Sequence, residues 1–338
     1  MSPVKSGTKG GRPNARAWTE LGLAVLGISG TSTFMKLAGA DPLVMSFWRV
    51  ALSTLLLLVL LVWRWGSNRG AKTSPAQPEV ATPFSCNKME PLEPSRSRRG
   101  VLVSRNMTVL AGALLALHFG LWVTSLTKTS VLSSLVFVTM NPLFVAVLDL
   151  ALFRERTSRL LWGAVAIVTA GGLFIGLQSG AAANTGNLLA LGGALAESLY
   201  LIVGRRASRS MDPVSYNAGA FGWAAVLLGI VCLATGRPLF ALSARSFLWL
   251  AVTAIVGQTM GHGLVNASLR WFQPQFVALM LLSEPILGSI LAFVVLGDRP
   301  APVELLGGVV ILAGLALGIV SSGRSAGGPV TGCRAQAR

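Results

Sequence analysis

The 338-residue chain is short of the residues that soluble proteins use most. Only 12% of it is charged, about half the usual share, and 53% is hydrophobic. A soluble protein of this length could not cover its surface with so few charges. Three cysteines, Cys86, Cys232 and Cys333, are too few and too scattered for a disulfide framework or a zinc site. Two histidines, His118 and His262, and no HExxH motif leave no zinc-protease set. The stretch Gly66–Thr73 resembles a phosphate loop but misses the GxxxxGK spacing by one residue, with no strand before it. No serine stands with a histidine and an acid in a hydrolase pattern. The chain is therefore not expected to be an enzyme, and no cofactor or metal is expected.

What is present is long apolar runs. A helix needs about 20 apolar residues to cross a bilayer. Ten segments qualify, at roughly 20–38, 43–65, 106–126, 130–153, 160–178, 186–204, 213–235, 246–269, 275–297 and 303–321. This pattern predicts an all-α integral membrane protein of ten transmembrane helices. The long gap 66–105 holds five prolines among Ser, Arg and Lys and is expected to be disordered.

The net charge of +16 takes its meaning from position. With the N-terminus in the cytoplasm, 22 of the 28 basic residues fall inside, five fall outside, and Arg49 lies within a span. Cytoplasmic loops carry such an excess, so both termini and the 66–105 loop are placed inside, with residues 1–17 as a basic tail and 323–338 as a C-terminal tail. The basic character is thus assigned to a membrane lipid surface, not to nucleic acid.

The halves repeat. At an offset of 143, Ser125-Leu126 meets Ser268-Leu269, Asn141-Pro142 meets Glu284-Pro285, Glu155-Arg156 meets Asp298-Arg299, and Gly171 meets Gly314. At an offset of 171, Asp41-Pro42 meets Asp212-Pro213. Five helices per half invert the second half relative to the first. The expectation is two inverted five-helix repeats, 18–178 and 186–322, as in secondary transporters whose site lies near the midplane.

The stretch Gly112–Gly172, with His118-Phe119, Ser125-Leu126, Asn141-Pro142-Leu143, Glu155 and the glycines after it, resembles an EamA-type member of the drug/metabolite transporter superfamily. Glu284-Pro285-Ile286, Asp298 and Gly307-Gly308 repeat the pattern. The resemblance implies the inverted ten-helix fold, a plasma-membrane location and transport of a small metabolite, often outward. It does not identify the solute. An amino-acid derivative moved with proton coupling is one reading; a sugar-phosphate or nucleotide-sugar exchanger, or a scaffold without transport, are the alternatives.

Ionisable groups inside a membrane are costly and mark candidate sites. Glu284 and Glu197 lie near mid-span, and either could serve a proton relay. Pro142 and Pro285 break their helices and free a carbonyl that needs a partner. That places Asn141 and Glu284 at symmetric breaks. Arg49 could pair a carboxylate such as Glu197 or Glu284, bind an anionic substrate, or snorkel outward. His118, His262 and Gln258 complete the candidate path. Trp48, Trp122 and Trp223 are assigned to a cavity, and Trp63, Trp65, Trp162 and Trp249 to the membrane interface. Asp149, Glu155 and Asp298 are assigned to surface ion pairs. Gly172–Gly176 and Gly314–Gly318 are GxxxG motifs that serve either packing within the chain or a homodimer.

Overall fold

The computed structural model describes residues 15–71, 98–153, 159–178, 180–207, 211–268 and 280–326. The basic N-terminal tail up to residue 14, loop residues 72–97, Glu155, the start of the ninth expected span and the C-terminal tail from 327 lie outside the described residues.

Every described element is helical. In chain order these are α1 (Ala15–Ser29), α2 (Thr31–Ala38), α3 (Pro42–Ala71), α4 (Arg98–Ser125), α5 (Val131–Val138), α6 (Asn141–Phe153), α7 (Arg159–Gln178), α8 (Ala181–Ala207), α9 (Pro213–Ala234) and α10 (Ala244–Val252). A π-helical segment, Thr253–His262, runs into α11 (Gly263–Ser268). Then come α12 (Glu284–Leu296) and α13 (Pro302–Ala326). Among the described residues, six helical stretches are long and apolar enough to cross a membrane: Ala17–Ala38, Pro42–Trp65, Asn106–Ser125, Ala181–Gly204, Val214–Ala234 and Ala244–Val265. Shorter apolar helices cover Val131–Val145, Trp162–Gln178, Glu284–Leu296 and Pro302–Gly318. The expectation for 66–105 needs correction at its edges. α3 continues to Ala71 and α4 already begins at Arg98, because neither flank carries a proline to end the helix.

The local chemistry explains the helix starts. α3 and α9 each open on Asp-Pro. Asp41 Oδ1 accepts from Leu43 N at 3.0 Å, and Asp212 Oδ2 accepts from Ser215 N at 3.1 Å. The aspartate satisfies a free first-turn N–H, and proline at the first helical position gives up an N–H that had no partner. Helix starts also keep the offsets of the sequence repeat: Pro42 and Pro213 are 171 apart, while Asn141 and Glu284, and Arg159 and Pro302, are 143 apart.

α7 packs along α13, α3 along α9, and α4 against both α8 and α9. Gly171, Gly307 and Gly314 make the α7–α13 approach close. A Cβ on Gly171 would stand 3.2 Å from the Gly307 carbonyl, and one on Gly314 would stand 2.9 Å from Val168 Cγ2. Gly172 instead faces Phe137, so the seam is one residue away from the GxxxG frame on α7. One apolar core joins both halves through Val50, Phe119, Leu135, Phe221, Leu250 and Ile311. Large apolar side chains stay on the outer surface, including Val59, Val62, Leu233 and Val294. Such a coat suits lipid, not water.

Ion pairs tie the halves together at the helix ends. Lys36 Nζ lies 2.9 Å from Asp298 Oδ2, Arg237 meets Asp41, and Arg64 lies 3.8 Å from Asp212. Each pair joins residues that the charge count puts on one side of the membrane. The surface role assigned to Asp298 holds, although its partner is a lysine. The Asp149 side chain lies outside the described residues.

Candidate functional site

Among the described residues, Arg49 on α3 is the largest fully buried side chain, at 1% exposure. Its Nε donates to Gln258 Oε1 at 2.7 Å, and its Nη2 stands 3.4 Å from His262 Nε2. A guanidinium only donates, so Nε2 is the accepting nitrogen and His262 is neutral in this arrangement. The guanidinium carbon lies 4.1 Å from the centroid of the Phe119 ring and 5.2 Å from that of Trp122. Cation–π contact with a desolvated ring contributes about 2 kcal/mol, which offsets part of the cost of burying the charge.

Of the three roles open to Arg49, direct hydrogen bonding to a carboxylate is absent among the described residues. Its hydrogen-bond partners are Gln258 and His262. Glu284 and Glu197 act on it through space. Outward snorkelling is excluded by the burial. The reason lies in the second half. Gln258 and His262 both stand on the π-helical segment, which presents them toward α3. π-helical winding, with i→i+5 bonds, is rare and recurs at functional sites. Here it is pressed against α1: a Cβ on Gly27 would stand 2.7 Å from the Val256 carbonyl, and one on Gly261 would stand 2.8 Å from Ile28 Cγ1. Ser53, one turn after Arg49, donates to the Ala254 carbonyl at 3.1 Å and fixes α3 to the same segment.

His118 on α4 is 5% exposed. Its Nδ1 stands 3.0 Å from the Gly193 carbonyl, which only accepts, so this nitrogen carries a proton. The same nitrogen lies 4.0 Å from Glu197 Oε2. The His118 ring stacks on Trp122 at 6.1 Å between centroids. Glu197 therefore has His118, not Arg49, as its nearest basic group, and its side chain keeps 20% exposure.

The two proline positions are helix starts. α5 ends at Val138 and α6 starts at Asn141; the turn at Leu282-Ser283 is followed by α12 from Glu284. Pro142 and Pro285 thus sit in first turns, where the missing N–H costs least. They open new helices in place of kinking continuous ones. Glu284 occupies the first turn of α12, where a helix favours negative charge. The Asn141 carbonyl accepts from Ser198 Oγ at 3.0 Å, one residue from Glu197.

The structure thus brings together Arg49, Gln258 and His262, links His118 to Glu197, and sets Glu284 and Asn141 at the two breaks. Among the tryptophans, Trp122 lies in the cluster. Trp48 does not face it: its Nε1 donates to Leu239 O at 2.7 Å, among Phe47, Phe240 and Phe247. Trp223 is 38% exposed, beside Asn106 and Leu110. Trp63, Trp65 and Trp162 are exposed, as interface anchors are, whereas Trp249 is half-buried and stacks on Phe34. Phe119, under the guanidinium, and Ser198 were missed as site residues. Their adjacency to His118 and Glu197 was the available signal.

Residues 184–320 match the EamA-like transporter family. Among solved structures, 28 chains match. One of them, described only as "Crystal structure of protein", is similar at a TM-score of 0.56 and 16% identity, over 90% of this chain and 98% of that one. At that identity the likeness concerns the fold alone. No curated protein matches. The apolar helices support a multi-pass membrane protein, and its second half is similar to the EamA-like transporter family.

Proposed function

We propose that the chain is a secondary active transporter that exports a small organic metabolite, such as an amino-acid derivative, by alternating access with a proton as coupling ion. In this reading residues 18–178 and 186–322 are inverted five-helix repeats in the plasma membrane, with both termini cytoplasmic. The observation that carries it is the cluster around Arg49, in which Arg49 and His118 are buried and Glu197, Glu284 and His262 are partly buried. Arg49, Glu197, Glu284 and two histidines interact where two helices are broken by Asn141-Pro142 and Glu284-Pro285. A scaffold would gain nothing from such a set, because each buried ionisable group costs a few kcal/mol on insertion. Exchange of a sugar phosphate is less well supported. A dianion calls for several cations, and among the described residues Arg49 is the one Lys or Arg in the cluster.

Glu284 is the proposed proton carrier, because its repeat partner Asn141 cannot ionise. Proteoliposomes with an imposed pH gradient, given a metabolite mixture and read by mass spectrometry, test this. Glu284→Gln is expected to stay folded and lose gradient-driven accumulation; Glu284→Asp is expected to keep part of it. Parental accumulation by Glu284→Gln with the same pH dependence would remove Glu284 as the coupling residue. Orientation is tested with single cysteines at Ser74 and Gln178 in a cysteine-free background. An impermeant thiol reagent on intact cells is expected to label 178. Labelling of 74 alone would reverse the orientation.

A further inference from the structure

Three hydrogen-bond donors at the Arg49 cluster have no acceptor: Arg49 Nη1, Gln258 Nε2 and Trp122 Nε1. The three residues are 1%, 1% and 4% exposed. They share one centre, since Gln258 bonds the guanidinium and the Trp122 ring lies beside it. None can be satisfied by turning round. Guanidinium and indole N–H groups only donate, and the Gln258 amide is fixed by the Arg49 Nε bond to its oxygen. The two acceptors that bond the guanidinium are already engaged. Gln258 Oε1 takes Nε and His262 Nε2 takes Nη2. Glu284 and Glu197 reach Arg49 only through space. Buried polar groups are nearly always paired, so three open donors at one centre point to an absent acceptor.

We infer that the solute carries a carboxylate, and that this group is the acceptor held by Arg49 Nη1, Gln258 Nε2 and Trp122 Nε1. The inference rests on the transporter reading. A carboxylate offers two oxygens with about four lone-pair sites, enough for three donors. A phosphate dianion would set its second charge against Glu197 and Glu284, which already act on the same arginine. An amine without a carboxylate would leave all three donors open.

The test uses the full chain in detergent and probes matched in shape: leucine, 4-methylpentanoate, which lacks the ammonium, and isoamylamine, which lacks the carboxylate, with acetate as a carboxylate of minimal apolar body. A ligand that binds only the folded protein raises the melting temperature with its concentration. Leucine or one of the two acids is expected to raise it, and isoamylamine is not. Trp122→Phe removes the indole N–H and keeps a ring in place. It is expected to weaken carboxylate binding by about tenfold, the scale of one lost bond to a charged group. Gln258→Leu is a second, independent variant with the same expected loss. An equal shift from isoamylamine, no shift from any carboxylate, or wild-type affinity in both variants overturns the inference. Uptake of a metabolite mixture by the same preparation separates the two levels. Accumulation of amines alone sinks the carboxylate and leaves transport standing; accumulation of nothing sinks the transporter reading.

Discussion

The two halves of the chain begin their helices at matching places and fill them differently. By the offsets of 171 and 143, Arg49 falls opposite Ala220, Gln258 opposite Leu115, and Glu284 opposite Asn141. Ala220 and Leu115 are as buried as their polar counterparts, at 0% and 3% exposure. The scaffold therefore accepts apolar filling at these depths. Arginine and glutamine at the same depths cost desolvation that folding does not require. The winding differs too. α4 stays α-helical through His118, whereas the matching segment is π-wound over Thr253–His262. The offset sets His118 opposite Gly261, with His262 one residue further on. The helix starts follow a common backbone plan, and the buried polar residues and the π-winding depart from it.

The largest effect should come from making Arg49 like its counterpart. Arg49→Ala leaves Gln258, His262 and two carboxylates without the cation and empties the space over Phe119. A loss of roughly 3–5 kcal/mol is expected, read as a drop in melting temperature and monodisperse yield. Arg49→Met with Gln258→Leu makes the pair apolar and should recover part of that loss; no recovery would mean the glutamine is not left unsatisfied by the single change. Next comes the π-helical contact. Gly261→Ala would set a Cβ 2.8 Å from Ile28 Cγ1, and Gly27→Ala would set one 2.7 Å from the Val256 carbonyl. Each is expected to cost about 1–3 kcal/mol of overpacking. Gly163→Ala on α7, with nothing within 4 Å, should be neutral or gain up to about 1 kcal/mol in melting measurements. Equal losses at all three glycines would argue against a special close contact. The smallest effects belong to the rim. Lys36→Ala, at a side chain 26% exposed, should cost about 1 kcal/mol or less, and Arg64→Ala, 50% exposed at 3.8 Å, about 0.5 kcal/mol or less. Asp298→Ala should exceed Lys36→Ala, because Asp298 also accepts from Val131 N at 3.1 Å.

Local rules made part of this legible. Asp-Pro marked the starts of α3 and α9, and Asn-Pro and Glu-Pro marked the breaks before α6 and α12, because capping and proline chemistry act within a few residues. Arg49, Glu197 and Glu284 stood out because charge is scarce in apolar runs. Gln258 and His262 stood out only as path candidates, not as partners of Arg49. Gln258 and His262 reach Arg49 across more than 200 residues, through a π-helix that apolar periodicity does not reveal. That both carboxylates would leave Arg49 to a glutamine and a neutral histidine needed the geometry. So did the fate of Trp48, whose indole turns to Leu239 O and the surrounding phenylalanines.

The central claim is that transport runs through the Arg49 cluster. Counterflow in proteoliposomes, comparing wild type with Gln258→Leu, tests it most directly, because leucine is what the first half carries at the matching position. The substitution keeps size and helix propensity and removes one bond to Arg49 and one open donor. The expected result is a variant that still purifies folded and needs about tenfold more solute for half-maximal exchange. Exchange with the wild-type concentration dependence would contradict the claim and place the transport path elsewhere in the molecule.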